Sequence, residues 1–375
     1  MIINYGKQTI DKSDIKSVIK VLKNDYLTQG PEIIKFEKKL CKYFGSKYSA
    51  VVSNGSAALY IAAKSLGWKR GDRIVTTANT FLATASCILH SGAKPEFVDI
   101  NKENYTIDIN KTEDRIKKFK NKVKAIIAVD YAGHPCDWES LKFLSKKYNL
   151  KLINDNCHAL GAKLNSSKQY ASKYADIVTH SYHPVKNITT GEGGAVLTND
   201  IKLYNKILVF RNNGMFKKRK SDFEYRVNQL SMNFRITDIQ CALGTSQLKK
   251  LDKFIYRRNS IAKLYDDIFK NEKNVIIPFK DRNVYHAYHL YPLLINFKKT
   301  KVSKKEFFLA LRKKGINLQV HYTPLYYHRI FSKFTNKRIL PVTENFYKTE
   351  VSLPIYPNLK NHQVKVVANE ILNLI

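Results

Sequence analysis

The stretch that decides the fold reads His180-Ser-Tyr-His-Pro-Val-Lys186-Asn-Ile-Thr-Thr-Gly-Glu-Gly-Gly-Ala195. It joins two segments with the composition of β-strands, residues 175–181 and 194–198. Lys186 is therefore predicted to lie on a turn at the mouth of a sheet, where a ligand can reach its amine. Such a lysine is a Schiff-base nucleophile if burial or a nearby cation lowers its pKa. A solvated surface lysine would occupy the same position in the pattern, and this chain has many lysines.

The residues around Lys186 favour a ligand-binding role. Ser181 and His183 precede it by five and three residues. Glycines follow at positions 191, 193 and 194, and glycine lets the backbone approach a ligand closely. The stretch is therefore interpreted as a binding turn.

A second chemical segment covers residues 151–162. Leu152 and Ile153 lead a buried strand to Asp155, and His158 follows three residues later. In open α/β sheets, ligands bind outside the carboxyl ends of the strands. An unpaired buried carboxylate is costly, so Asp155 is predicted to meet a cationic partner. Taken alone, Asp155 and His158 would each be compatible with a structural role.

Residues 51–59 predict a short strand, a tight turn and a helix whose first amides are free. A helix N-terminus beside a glycine is suited to bind phosphate, although an ordinary capped helix has the same pattern. Phe81, just after the next predicted strand, is by itself equally compatible with a core position.

The lysine stretch, together with Asn-Gly-Ser-Ala at 54–57, resembles the sugar aminotransferases of the DegT/DnrJ/EryC1/StrS family. The resemblance runs from about Tyr5 to Pro357. It implies an α/β fold of the aspartate-aminotransferase type (fold-type I) with a large, mainly parallel, seven-stranded sheet, and the alternation of β and α patterns supports this independently. We expect a pyridoxal-phosphate domain with an N-terminal helical segment over residues 1–250. A connecting helix and a smaller α+β domain are expected over residues 251–375.

The resemblance also implies residue roles. Lys186 would be the catalytic residue and would hold pyridoxal phosphate, and Asp155 would pair with its pyridine nitrogen. Asn154 stands where the family usually has glutamate. The other implied cofactor contacts are Gly55, Ser56, Phe81, His158, Ser181 and Asn233. The implied substrate contacts are Tyr5, Thr28, Gln29, Arg235, His321 and Tyr322.

The implied reaction moves an amino group, with L-glutamate as the expected donor. The acceptor is the C4 keto group of a UDP-linked 4-keto-6-deoxy-N-acetylhexosamine, for surface glycan synthesis. GDP- or dTDP-linked keto-sugars, including those aminated at C3, are the alternatives. Dehydratases of the family carry histidine in place of Lys186. Asn233 and Arg235 would cross to the second subunit of a homodimer with shared active sites.

Composition limits the other classes of function. The 375 residues include 65 basic and 31 acidic side chains, a net charge of +34. The lysines are spread along the chain with short clusters such as 217–220, and no nucleic-acid motif is found. Both observations favour solvated surface lysines. The alternative is a basic nucleic-acid-binding protein on a relic enzyme fold. No apolar run reaches membrane-span length. Five scattered cysteines and no evident signal peptide predict a cytoplasmic protein without disulfides or a metal site.

Three secondary-structure predictions bear on the site. Ile15, Val18, Ile19 and Leu22 share one face of a helix that ends near Lys23. Residues 287–295 and 315–324 are each predicted to form one strand.

Overall fold

The computed structural model describes residues 2–217 and 223–375, so residues 218–220 of the basic cluster lie outside the described part. Its helices are α1 (Lys12–Leu22), α2 (Pro31–Phe44), α3 (Gly55–Ser65), α4 (Leu82–His90), α5 (Ile109–Phe119), α6 (Trp138–Lys147), α7 (Tyr170–Tyr174), α8 (Ile201–Arg211), α9 (Asp238–Leu248), α10 (Leu251–Phe269), α11 (Lys304–Lys313), α12 (Pro341–Thr349) and α13 (Asn361–Leu372). Its strands are β1 (Ile3–Asn4), β2 (Tyr48–Val52), β3 (Arg73–Thr77), β4 (Lys94–Val98), β5 (Val123–Val129), β6 (Lys151–Asp155), β7 (Lys163–Leu164), β8 (Ile177–Ser181), β9 (Gly194–Thr198), β10 (Met215–Phe216), β11 (Arg226–Val227), β12 (Val275–Ile276), β13 (Val284–Tyr285), β14 (Tyr291–Ile295), β15 (Ile316–Asn317) and β16 (Glu350–Leu353).

A seven-stranded sheet in the order β2-β9-β8-β6-β5-β3-β4 organises the larger part of the chain. The five strands from β8 to β4 are parallel, whereas β9 runs antiparallel to both of its neighbours. The predicted mainly parallel sheet is confirmed. Since β2 points the same way as the parallel strands, the loops that follow β2, β3, β5, β6 and β8 all leave the sheet at one edge.

Both faces of this sheet are covered. Successive residues of β2 enter different hydrophobic clusters: Val51 packs with α2, and its neighbours Ala50 and Val52 pack with α3 and α8. This period-two alternation, with both faces apolar, is what a parallel sheet between two helical layers requires.

Helix α1 forms where it was predicted, but its apolar row does not enter the core. Ile15, Ile19 and Leu22 are each about half exposed, so the face that they share is turned outward in the single chain. The buried side of the helix instead carries Asp14, whose carboxylate accepts hydrogen bonds from Gln247 and Lys250 of the α9–α10 region. Charged hydrogen bonds orient the helix, and its apolar row faces outward.

A second hydrophobic core lies in the C-terminal third of the chain. It contains the antiparallel β12-β14-β16 sheet, helices α11 and α13, and the second half of α10. Strand β1 joins it by pairing in parallel with β15, so that Ile3 is buried there. A division of the chain at residue 250 stays a prediction.

The two long strands predicted in this part are shorter in the structure. Residues 287–290 precede β14 as an irregular segment, and only Ile316–Asn317 of the second stretch forms a strand. Arg258, fully buried on α10, donates to the carbonyls of Tyr288 and His289 at 3.0 and 3.3 Å. Because a side chain satisfies these backbone acceptors, the segment does not need a neighbouring strand.

Asp130, at the end of β5, is the main buried polar anchor of the larger core. Its carboxylate accepts hydrogen bonds from five donors: the amide of Cys136, Trp138 Nε1, Asn154 Nδ2, Asn156 Nδ2 and the Tyr170 hydroxyl. Asp130→Ala is expected to lower the free energy of unfolding by about 3 kcal/mol, because buried donors lose their acceptor. Chemical denaturation measures this loss.

The matched control is Asp137→Ala, seven residues further on. Asp137 only caps α6 through the amide of Ser140, so we expect a loss of about 1 kcal/mol. Equal losses for the two variants would contradict the assignment of Asp130 as an anchor.

Candidate active site

A cavity of about 680 Å³ lies at the carboxyl edge of the parallel strands and is lined by residues from both cores. Ten of the fourteen residues predicted from the sequence line it: Tyr5, Gly55, Ser56, Phe81, Asp155, His158, Ser181, Lys186, His321 and Tyr322. The larger core supplies seven of them from the loops that leave one sheet edge. The other three come from outside the large sheet: His321 and Tyr322 follow β15, and Tyr5 is close to them because β1 pairs with β15.

Lys186 lies on the turn after β8. Its amide donates to the carbonyl of His183 at 2.9 Å, and its Nζ lies 3.5 Å from Nε2 of His289. Desolvation by the surrounding protein lowers the pKa of the Lys186 amine, while Cys157 and Asp155 oppose this shift. The amine is thus biased toward its neutral, nucleophilic form.

Two buried histidines surround this amine. The rings of His158 and His289 pack with centroids 4.4 Å apart. Burial, and next the charge of Lys186, holds the pKa of each imidazole well below its usual value. Both rings are therefore neutral, and they add no positive charge beside Lys186.

The protonation of His158 can be assigned from its partners. The amide of Ala132 donates to Nδ1 at 3.3 Å, which leaves the proton on Nε2. Nε2 lies 2.9 Å from the Tyr322 hydroxyl and donates to it.

Phe81 is half exposed and lines this cavity, so it does not belong to the core. The centroid of its ring lies 6.1 Å from that of Tyr322.

Asp155 ends β6 and is buried. Its Oδ2 accepts from the Thr84 hydroxyl at 2.7 Å, and its Oδ1 accepts from the amide of Cys157 at 3.3 Å. Both donors are neutral groups. A cation placed in the cavity would complete the neutralisation of this carboxylate, and a protonated pyridine nitrogen has the required charge.

The N-terminus of α3 forms the other wall. Asn54 caps the helix by accepting from the amide of Ala57 at 2.8 Å. The amides of Gly55 and Ser56 belong to the first turn, which has no acceptor within the helix and suits an anion. A Cβ on Gly55 would lie 2.7 Å from Cβ of Ser181, so only glycine fits between the helix and β8. Together, the Lys186 amine, the Asp155 carboxylate and the anion-binding N-terminus of α3 fit pyridoxal phosphate.

Four predicted residues lie outside this cavity in the single chain: Thr28, Gln29, Asn233 and Arg235. Thr28 pairs with Thr237, and Asn233 accepts from the amide of Arg235 at 3.0 Å. Gln29 and Arg235 line a separate surface depression. These four residues therefore share one region of the surface and do not reach Lys186 of their own chain.

Sequence reasoning missed Thr84, His289 and Cys157. Thr84 is in the first turn of α4, three residues after Phe81, and His289 falls in the segment predicted as a strand. No local pattern identifies Thr84 or His289, because their contacts with Asp155 and Lys186 join positions 71 and 103 residues apart in the chain. Cys157 lies two residues after Asp155, and its amide donates to that carboxylate.

Residues 2–217 and 223–375, which the structure describes, contain no cluster of three or more histidine, cysteine or acidic side chains suited to hold a metal ion. Within the same residues, no helix combines the length and the hydropathy needed to span a membrane.

Comparison with known proteins gives consistent matches. Residues 8–372 match the model of the DegT/DnrJ/EryC1/StrS aminotransferase family. The chain is 40% identical to UDP-4-amino-4,6-dideoxy-N-acetyl-beta-L-altrosamine transaminase of Campylobacter jejuni, covering 100% of this chain and 97% of that protein. It is similar to the structure of Helicobacter pylori PseC, an aminotransferase involved in the biosynthesis of pseudoaminic acid, with a TM-score of 0.92, 36% identity and coverage of 100% and 99%. A Streptococcus pneumoniae structure in its PLP form matches with a TM-score of 0.89, 25% identity and coverage of 99% and 98%.

The lowered pKa of Lys186 can be tested by competitive acetylation of the cofactor-free protein over a pH series. Since desolvation disfavours the ammonium form, Lys186 is expected to reach half-maximal labelling at a lower pH in the folded chain than in the unfolded chain. Mass spectrometry of the Lys186 peptide measures both curves. The environment proposed for the amine would be contradicted by a midpoint in the folded chain at or above that of the unfolded chain.

Proposed function

This chain belongs to the DegT/DnrJ/EryC1/StrS aminotransferase family and is a pyridoxal-phosphate-dependent aminotransferase, and we propose that its acceptor is a UDP-linked 4-keto-6-deoxy-N-acetylhexosamine. The product would be a 4-amino sugar nucleotide of the pseudaminic acid type, used in surface glycan synthesis. L-glutamate is the proposed donor. The observation that supports the aminotransferase chemistry is the desolvated amine of Lys186, placed in one cavity with Asp155 and the α3 N-terminus.

Bound pyridoxal phosphate supplies an electron sink next to the bond that loses its proton. In the proposed arrangement, Gly55 and Ser56 bind the phosphate with their amides, and Ser181 lies beside them. Asp155, oriented by Thr84, holds a proton on the pyridine nitrogen. Phe81 would pack on the ring, and the imidazole of His158 would meet the ring hydroxyl. The position of each residue on the cavity wall supports its proposed role.

Lys186 has two proposed tasks. Its neutral Nζ would hold the cofactor in the resting enzyme. After the donor has displaced it, Nζ would accept the proton from Cα of the amino acid as a general base and return it as a general acid. A lowered pKa suits both tasks, because it increases the share of neutral amine that can accept a proton.

The choice of acceptor rests on the similarity to the transaminase of Campylobacter jejuni over the whole chain. Tyr5, His321 and Tyr322 line the outer part of the same cavity and would contact the sugar. Discrimination between epimers requires buried polar groups that lose their partner when the wrong sugar binds.

A homodimer with shared active sites would use the remaining predicted residues. Thr28, Gln29, Asn233 and Arg235 lie outside the cavity of their own chain, and the apolar row of α1 is exposed. A twofold axis that covers this row would present the four residues to the cavity of the partner subunit. Asn233 would then contact the phosphate there.

The cytoplasm is the proposed location. The five cysteines are free thiols in the structure, which agrees with a reducing compartment. Neither a nucleic acid nor a membrane is proposed as a partner.

The acceptor is tested by comparing UDP-2-acetamido-2,6-dideoxy-β-L-arabino-hexos-4-ulose with its D-xylo epimer and a GDP-4-keto-sugar, each with glutamate. We expect kcat/KM to be at least about tenfold higher for the first compound, since a mismatched buried hydroxyl costs about that factor or more. Lys186→Ala is the negative control. A higher kcat/KM for either competitor would overturn the proposed acceptor but not the aminotransferase.

Shared sites are tested by mixing two inactive variants, Lys186→Ala and Asn233→Ala. Hybrid dimers would contain one site with both native residues, so activity is expected to return to at most about a quarter of the wild-type level. Native mass spectrometry counts the hybrids. If hybrids form without any recovery of activity, each site is built from a single chain.

A further inference from the structure

A buried hydrogen-bonded chain stands behind His321, on the side away from the cavity. Glu350 and Ser352, both fully buried on β16, form it. Nδ1 of His321 lies 2.9 Å from Oγ of Ser352, and the Ser352 hydroxyl donates to Oε1 of Glu350. The amide of His321 donates to Oε2 of Glu350 at 3.0 Å. One carboxylate therefore contacts His321 twice, directly and through a serine.

The proton positions follow from the donor inventory. An ionised carboxylate only accepts, and a serine hydroxyl has one proton to donate. Ser352 gives that proton to Glu350, so its oxygen must accept from Nδ1–H of His321. Burial, and next the charge of Lys186, lowers the pKa of His321 to about 3, so the ring is neutral and carries a single proton. Nε2 is then a bare acceptor, on a side chain that lines the cavity.

We propose that Glu350 and Ser352 are positioning residues of the active site: they hold His321 as the Nδ1–H tautomer, so that Nε2 accepts a hydrogen bond from a hydroxyl or amide N–H of the sugar nucleotide. This inference rests on the proposed function, because it takes the sugar to occupy the part of the cavity beside His321. The inference requires the part of the substrate beside His321 to carry a hydrogen-bond donor.

The direction of the chain depends on the charge of Glu350. Burial raises the pKa of Glu350, while Ser352, the charge of Lys304 and the amide of His321 oppose the shift. A protonated Glu350 donates to Ser352, which then donates to Nδ1, and the ring proton moves to Nε2. The cavity would in that state present a donor to the substrate, and the hydrogen bond would be lost as pH falls.

Other titratable groups face this chain. Those nearest Glu350 are Lys304 on α11, Tyr131 and Tyr322, and those nearest His321 are Lys186, His158 and His289. Burial raises the pKa of both tyrosines well above 10, and both histidines are neutral. Burial lowers the pKa of Lys186, and it lowers the pKa of Lys304 to about 8.

The test uses Glu350→Gln in the cofactor-loaded enzyme. The glutamine carbonyl must face the amide of His321, so its NH₂ donates to Ser352 and imposes the reversed chain without a charge. We expect the KM for the keto-sugar to rise about tenfold, which corresponds to one lost hydrogen bond, and to lose its dependence on pH. The maximal rate of the half-reaction with glutamate should stay at the wild-type value.

Two further variants show whether the effect is specific to this chain of hydrogen bonds. Ser352→Ala interrupts the chain without altering Glu350 and is expected to raise KM several-fold. Glu344→Gln is the matched control, because this buried carboxylate accepts from Tyr326 and Tyr327 and does not line the cavity. A wild-type KM and pH profile for Glu350→Gln, or an equal loss in both half-reactions, would overturn the proposal.

A direct readout does not require the keto-sugar. In ¹⁵N-histidine-labelled enzyme, the His321 signals, identified by their absence in His321→Gln, should show Nδ1–H in the wild type and Nε2–H in Glu350→Gln. An Nε2–H ring in the wild type at alkaline pH would refute the proposal even if Glu350→Gln fails to fold. Failure of the proposed acceptor would leave this measurement unaffected, so the two outcomes are distinguishable.

Discussion

The active site depends on keeping the amine of Lys186 out of water. Desolvation is the largest influence on its pKa, and it favours the neutral form that both nucleophilic attack and proton transfer need. The histidine side chains beside the amine do not carry charge, since His158 and His289 are buried and neutral. A surface lysine, surrounded by water, would remain an ammonium ion at neutral pH.

Buried carboxylates impose the opposite requirement, because their negative charge must be matched by donors or by a cation. Asp155 is held by a hydroxyl and an amide, which orient it but leave its charge to be matched by a ligand. Asp130 is satisfied by five donors and fixes the end of β5 in the larger core. Glu350 uses its two oxygens to align a histidine. A buried carboxylate thus binds a ligand, anchors a strand or positions a histidine according to which donors surround it.

The two cores meet at the cavity, and each supplies a different part of it. The large sheet positions Lys186, Asp155 and the N-terminus of α3 at one of its edges, where the parallel strands end. The C-terminal core delivers Tyr5, His321 and Tyr322, and Arg258 holds the segment that carries His289 by binding its backbone carbonyls. The two parts are linked at the cavity, because His289 lies beside the Lys186 amine and the Tyr322 hydroxyl is hydrogen-bonded to His158.

The sequence by itself determined the fold class, the family and the central residues of the cavity. Lys186, Asp155 and the glycine turn at Gly55 lie where strands end, and strand ends are visible as local changes in residue pattern. Only the tertiary structure revealed Thr84, His289 and Glu350, because their roles depend on contacts across long stretches of chain. It also placed the apolar row of α1 on the surface and gave residues 287–290 an irregular path, since Asp14 and Arg258 form buried hydrogen bonds that no periodicity records. Local patterns fix which elements form, whereas packing and hydrogen bonding between distant residues decide which side chains meet.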